Sequence, residues 1–506
     1  MNKQIKTSCV NPMRLKASLA IMAAAITFPA LAADYIVHDT DEPETQSVHP
    51  HESILAEDVP FGAPNAKPPP YTMLRYTERY SHLADSAKRT DPFDRLKYIP
   101  LDSENPESYL SFGGEIRERY EQSHNQAFGI KGADSEHYGL QRIMLHADLH
   151  ANERLRFFVQ GISSVQFGGE QKLDVNQNPL DLQQAFVDYT FGDPSPNGNR
   201  QTIRAGRFSM SYGSGRLIAT RAGPNTQLKF DGLQFIHSNE GNKKLYAFVT
   251  RPVKEDRYEA DKPNQAQTFS GIYASTPISA ASGTNVDAYY LNYRNEEAAY
   301  VGSKGVENRH TLGLRWFGKT GQWDYDWEAV AQLGEVGDQY IRAWTFASDT
   351  GYTFKDTAWH PRLGIKADIA SGDSNKKDGK LETFNPLFFK ANYFNDAAFF
   401  RPANLADIHA SLQMQPREDL TITFGSDFIW KHTKQDAIYA TTGSVLLPAN
   451  NASKYVGTAL EAAAQWKVNQ HVVATASYVH MYTGSQVDKA GGGDIDYLAT
   501  WVSFIW

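Results

Sequence analysis

Cysteine is all but missing: the chain holds one, Cys9, and it lies ahead of the apolar run Ala17 to Phe28. If a leader containing it is cut away, the mature protein has no disulfide, thiol chemistry or Cys-bound metal. Long apolar runs are missing too. Beyond the leader no stretch of about eighteen apolar residues occurs, which excludes helical membrane spans. Positive charge is in deficit, with a formal net charge of −8, and this argues against nucleic acid as a partner. No repeating blade or solenoid period is present, so a propeller is disfavoured. Neither a nucleophile elbow nor a paired-carboxylate motif is found.

What is there begins with the leader. Lys3, Lys6, Arg14 and Lys16 precede the apolar run, and Pro29-Ala30-Leu31-Ala32-Ala33 supplies small residues for a signal peptidase, so 1–33 reads as a cleaved signal peptide. Removing those four cations takes the net charge from −8 to −12. Asp34 to about Pro70 is acidic and proline-rich and reads as a poorly ordered lead. His38, His49 and His51 within it are too loosely spaced to make a metal site. Tyr71 to Leu101 mixes aromatics with charges and reads as a small plug or a latch on a barrel rim. The whole of 34–107 is therefore taken as one N-terminal region ahead of a barrel over 108–506.

The barrel reading starts from the last stretch, Asp494 to Trp506, DIDYLATWVSFIW. Trp506, Phe504, Val502, Thr500 and Leu498 fall on one side at the two-residue period of a strand, and such an apolar outer row suits lipid. Gln141 to His150 and Trp323 to Leu333 alternate in the same way, each near the ten residues that a tilted strand needs to cross a bilayer. About eighteen such segments are read, beginning near Tyr109 and ending at Ile495. The fold class expected is all-β, a transmembrane antiparallel barrel with short periplasmic turns and long extracellular loops. Aromatics at 12% fit its lipid-facing girdles, and the interior is expected to be polar and wet.

Four blocks carry a family resemblance: KRTDPFD with LKYIP from Lys88 to Pro100; YLSFGGEIRERY from Tyr109; Ile203 to Gly232, with RAGR, YGSGRLI, RAGPN and FDG; and Ser371 to Leu405, with SGD, TFNPLF and ANL. Together they resemble the alginate export family of outer-membrane porins. The resemblance implies an eighteen-stranded barrel of the Gram-negative outer membrane, lined with arginines and acids and passing an anionic uronate polymer or oligomer. It specifies the family better than the solute. Neutral Gln183 and Gln234 stand where more anion-selective members would be expected to carry arginine.

Alternation supplies the candidate lining. Glu115, Arg117 and Arg119 point inward on the first strand, and Arg142, Arg156, Arg294, Arg315 and Arg362 lie on polar faces; Arg204 and Arg207 are candidates whose facing alternation leaves open. Asp324, Asp326, Glu328, Asp427 and Glu461 are inward acids on later strands. Guanidinium groups bind carboxylates bidentately and stay charged, so such a lumen would draw uronates or small organic acids. The alternative is that the arginines simply pair with inward acids. Tyr212 to Asn225, with Tyr212, Arg216, Arg221 and Asn225 singled out, reads either as a loop folded into the pore or as a structural turn.

The function expected is passive diffusion of anionic or polar solutes, extending to uronate oligomers or alginate. No cofactor, metal or nucleic acid is involved, and the outer-membrane bilayer is the surround. Gly372 to Pro402 is the expected extracellular lid; Gly372 to Asn375 and Asp378 are oxygen-rich, but their spacing is not that of an EF-hand. An outer-membrane enzyme of lipase or protease type is the first alternative, because His146, His150, Ser163 and Asp148 are triad residue types. A surface receptor is the second.

Overall fold

Segments of about ten alternating residues cannot satisfy their own backbone polar groups, and in an apolar surround only a closed sheet pairs all of them. The computed structural model describes residues 71–130, 135–170, 172–192, 199–221, 223–239, 242–279, 283–449 and 453–506. The leader read at 1–33 and the lead up to Pro70 lie outside the described residues.

Eighteen long antiparallel strands form one closed sheet. They are β1 (Tyr109–His124), β2 (Ser135–His150), β3 (Leu155–Gly168), β4 (Asn178–Gly192), β5 (Arg200–Phe208) and β6 (Phe230–Ser238). Next come β7 (Lys244–Lys254), β8 (Gln267–Ser279), β9 (Thr284–Tyr300), β10 (Ser303–Thr320), β11 (Trp323–Val336) and β12 (Gln339–Thr353). The last are β13 (Arg362–Ala370), β14 (Leu405–Arg417), β15 (Leu420–Lys431), β16 (Tyr455–Lys467), β17 (Val472–Thr483) and β18 (Ile495–Ile505). Closure is made by β1 against β18, from Glu115↔Ile505 to His124↔Asp496, while the other side of β1 pairs with β2. Among the described residues no helix is long and apolar enough to cross a membrane.

The two ends differ. The end where β1 begins and β18 stops is closed by short turns such as 151–154 and 418–419, whereas 209–229, 371–404 and 432–454 leave the other end. Outside, Leu145, Ile272, Leu312, Leu314 and Ile365 are more than half exposed, and Trp316, Trp323, Trp327, Trp344 and Trp466 stand among them. A water-soluble protein does not show so large an apolar band, whereas a lipid-facing barrel requires it.

The interior departs from the wet lumen expected. Phe158, Phe186, Phe248, Phe269, Tyr273 and Tyr289 point inward and pack with Tyr76 of the N-terminal segment, with Met210, Tyr212 and Ile218 of one loop, and with Phe388 of another. Segments that fold into the barrel must bury their own apolar surface against the wall, and these rings give them a core.

Candidate pore constriction

The stretch 209–229 leaves β5 and crosses the lumen before returning to β6. Gly213 and Gly215 take positive φ of 59° and 74°, which lets the chain turn sharply inward. Tyr212 then stacks on Tyr273 at 5.0 Å and accepts a hydrogen bond from Gln234. Arg216 reaches Asp326 and Glu328 of β11, both at 3.1 Å. Arg221, at φ 57°, pairs with Glu255 at 2.6 Å. On the far wall Asn225 is fully buried and its amide donates to Gln141 O at 2.8 Å and Asn176 O at 3.2 Å, while its own carbonyl accepts from Ser164. An unsatisfied buried amide or carbonyl costs about 1–3 kcal/mol, so these bonds fix the loop's landing point.

The long 371–404 loop does not lie over the mouth as a separate lid. It turns inward and zips to the crossing loop through Phe388 N to Leu217 O, Ala219 N to Phe388 O and Lys390 N to Gly215 O, each 2.9 Å. Tyr393 then donates to Asp368 at 2.6 Å and accepts from Arg216 at 3.0 Å. Among the described residues no group of three or more His, Cys, Asp or Glu is placed to hold a metal ion.

Arg117 and Arg142 are direct cross-strand partners on the inner face of β1 and β2. Arg117 donates to Pro224 O at 3.1 Å, and Arg142 pairs with Glu115 at 2.8 Å, so both stand where the crossing loop lands. Arg119, two residues further along, holds Glu121 at 2.6 Å and Tyr497 at 2.8 Å and lies over Trp501. Arg156 and Arg204 also face inward, but their ion pairs with Asp148 and Asp188 are close and buried. Removing one member of such a pair costs about 3–5 kcal/mol, so this ladder acts first as scaffold. The same holds for Arg315 with Asp326 and Asp287, and for Arg362 with Asp324 and Asp349.

Three sequence readings are corrected. Arg294 is exposed on the outer face of β9, beside Glu296, because the inner row there is Asp287, Tyr289, Leu291 and Tyr293. Aromatics face inward to support the inserted loops, which inverts the usual polar-in pattern locally. Arg207 also points outward, held by Asp231 at 2.7 Å; the register of β4 with β5 is unbroken, so a three-residue step from inward Arg204 changes face. Ser163 lies on the outer row of β3, away from inward His146 and Asp148, so the triad types do not meet.

Residues that the sequence did not single out come from the N-terminal segment. Tyr76 packs edge-on against Phe158 and Phe186, donates to Ser209 O at 2.9 Å and carries the Arg204 guanidinium 4.0 Å above its ring. Arg79 reaches His150 at 2.7 Å. Arg75 donates to Gly114 O at 3.0 Å and Trp506 O at 2.7 Å, clamping the seam where β1 and β18 part. Asp91 meets His471 of the turn before β17 at 2.6 Å. The segment thus enters the turn-side mouth at Leu74 and Tyr76 and also grips the rim at Asp91 and Phe93, which meet His471, Phe504 and Trp506.

An eighteen-stranded antiparallel barrel, apolar outside and charged within, whose loops fold into its own lumen, is an outer-membrane channel of the porin class. The chain belongs to the alginate export family, whose model matches residues 108–500. Solved structures with the same fold include OccAB1 of Acinetobacter baumannii, at 10% identity and a TM-score of 0.56 over 82% of this chain and 99% of that one. A BenF-like porin from Pseudomonas fluorescens Pf-5 matches at 10% identity and 0.54, over 78% and 99%. OccK2 (OpdF) of Pseudomonas aeruginosa, solved with glucuronate, matches at 11% identity and 0.51, over 78% and 96%. These similar structures are porins rather than enzymes. No curated protein matches the chain. With the outer membrane as its location, the turn end is periplasmic and the loop end extracellular.

Proposed function

We propose that the barrel passes carboxylate-bearing solutes, uronates among them, by passive diffusion and without catalytic chemistry. The observation that carries this reading is the basic wall of β1 and β2. Arg117 and Arg142 meet there at the landing point of the crossing loop, with Arg119 two residues further along the same wall and Glu115 and Glu121 as the neighbouring carboxylates. The acids Asp368, Asp407, Asp427 and Glu461 occupy the different wall of β13 to β16. Charges of opposite sign on separate walls set a transverse field, which favours charged and strongly polar solutes over apolar ones at a narrow point. A uronate offers one carboxylate for a planar guanidinium and hydroxyls for the carbonyls of Gly223 and Pro224. That a barrel of the same fold was solved with glucuronate is in keeping with this solute class.

Arg117→Glu with Arg142→Glu is expected to shift the reversal potential of single channels in a salt gradient toward the cation value. Arg207→Gln, on the outer face, should leave selectivity where it was. A double variant with the wild-type reversal potential would sink the proposal.

A further inference from the structure

The inner wall of β13 to β16 carries more negative charge than it neutralises. Asp368 and Asp407 are direct cross-strand partners, and Asp427 stands opposite His409, one diagonal step from Asp407. Glu461, on β16, approaches His409 at 3.2 Å. Like charges placed directly opposite destabilise a sheet unless something compensates them. Asp368 is compensated: it accepts from Tyr393 Oη at 2.6 Å and from Ser348 N at 3.2 Å, and Lys366 lies 3.5 Å away.

Asp427 is not compensated in that way. Its side chain is in a residue only 2% exposed, and neither carboxylate oxygen accepts a hydrogen bond; Oδ2 of Asp407, 3% exposed, accepts none either. A buried carboxylate without a partner is among the costliest groups a protein can hold. Three acceptor oxygens from two acids on neighbouring strands are therefore left without a hydrogen-bond partner, with Lys366, His409 and Arg216 as the basic groups around them. A divalent ion would need more protein ligands, and no group of three or more such residues is placed to supply them among the described residues.

We propose that Asp407 and Asp427 form a cation subsite in the lumen. It takes a small singly charged cation, the chemistry shared by an alkali-metal ion and the ammonium group of an organic solute. The subsite lies on a different wall from the arginines and does not depend on them. A channel that holds a cation there while carboxylates pass along β1 and β2 also lowers the self-repulsion of its acidic wall.

The test uses the full refolded protein in two arms. Crystals soaked in rubidium chloride should show anomalous density between the two carboxylates, which an alkali-metal site requires. In planar bilayers, ethylammonium added to a potassium chloride bath should interrupt the current, with Asp427→Asn weakening that block by about tenfold. Asp407→Asn serves the same purpose should the first variant fail to fold. Rubidium density assigns the alkali-metal source, and ethylammonium block relieved by the variants assigns the ammonium source; either supports the subsite. Absence of both overturns it. Uronate block read in the same recordings reports on the arginine wall separately, so the two proposals can fail independently.

Discussion

A variant lacking residues 71–98 is expected to conduct several times more current per channel than the full chain, with its ion preference kept. The segment occupies the periplasmic mouth: Leu74 and Tyr76 join the apolar cluster of Phe158, Phe186, Phe208 and Met210, and Thr220 of the crossing loop donates to Met73 at 2.6 Å. Current through a pore is limited by its narrowest parts in series, so removing a filled length of lumen shortens and widens the path. The barrel should survive the deletion, because β1 keeps its backbone pairing with β18 and β2, while the carbonyls of Gly114, Trp506 and Ser209 and the rings of His150 and His471 exchange their partners in the segment for water. The strand contact of Ile99–Pro100 with β1 also remains. Single-channel recording decides it; unchanged conductance would mean that ions already bypass the segment.

The second large effect is a pH dependence of the same segment, carried by Lys97. Its residue is 2% exposed, its ammonium lies 3.2 Å from the Tyr80 hydroxyl, and the rings of Tyr71 and Tyr80 sit over it at 4.3 and 5.0 Å. Burial, with Arg75 adding to it, pulls Lys97 down to about 7, against the opposing pull of Glu78, Asp91 and Asp94. Tyr71 and Tyr80 are pushed up by burial and stay protonated through this range. A released Lys97 takes its proton at the ordinary value of 10.5, well above the docked one. Between these two values the released state binds more protons, so docking strengthens as pH rises from about 7 and levels off above 10.5. Each unit of separation corresponds to about 1.4 kcal/mol, so the full swing is a few kcal/mol as an upper bound. Proteolytic release of the segment should therefore be slower at about pH 9 than at neutrality, and Lys97→Met should flatten the slope. An equal slope in Lys97→Met would assign the effect to another group.

The barrel was legible in the sequence because lipid on one side and charge on the other impose a two-residue period. All eighteen strands correspond to segments read from that period. Even those with weak alternation, near Lys243, Gln267 and Ile341, are strands β7, β8 and β12. Their weakness has the same cause as the misplacing of Arg294. Where Phe248, Phe269, Tyr273 and Tyr289, and on β12 Ile341 and Ala343, face inward against the inserted loops, both faces are apolar and the period fades. Arg204 and Arg207 show a different limit, since two arginines three residues apart must face opposite ways and only the register says which is inside. The glycines of 213–223 signalled an enforced path but not its destination, which Asn225 sets through bonds to β2 and to the 169–177 stretch, far away in sequence. Salt bridges such as Arg216 to Glu328 are equally invisible to local patterning.

The most direct test of the channel reading is planar-bilayer recording of the refolded full chain in a salt gradient, with glucuronate, uronate oligomers and neutral sugars of matched size added in turn. Anion-preferring channels blocked by uronates, at concentrations where the neutral sugars have no effect, are the predicted result. Equal block by uronates and neutral sugars, or the absence of discrete channels, would contradict it.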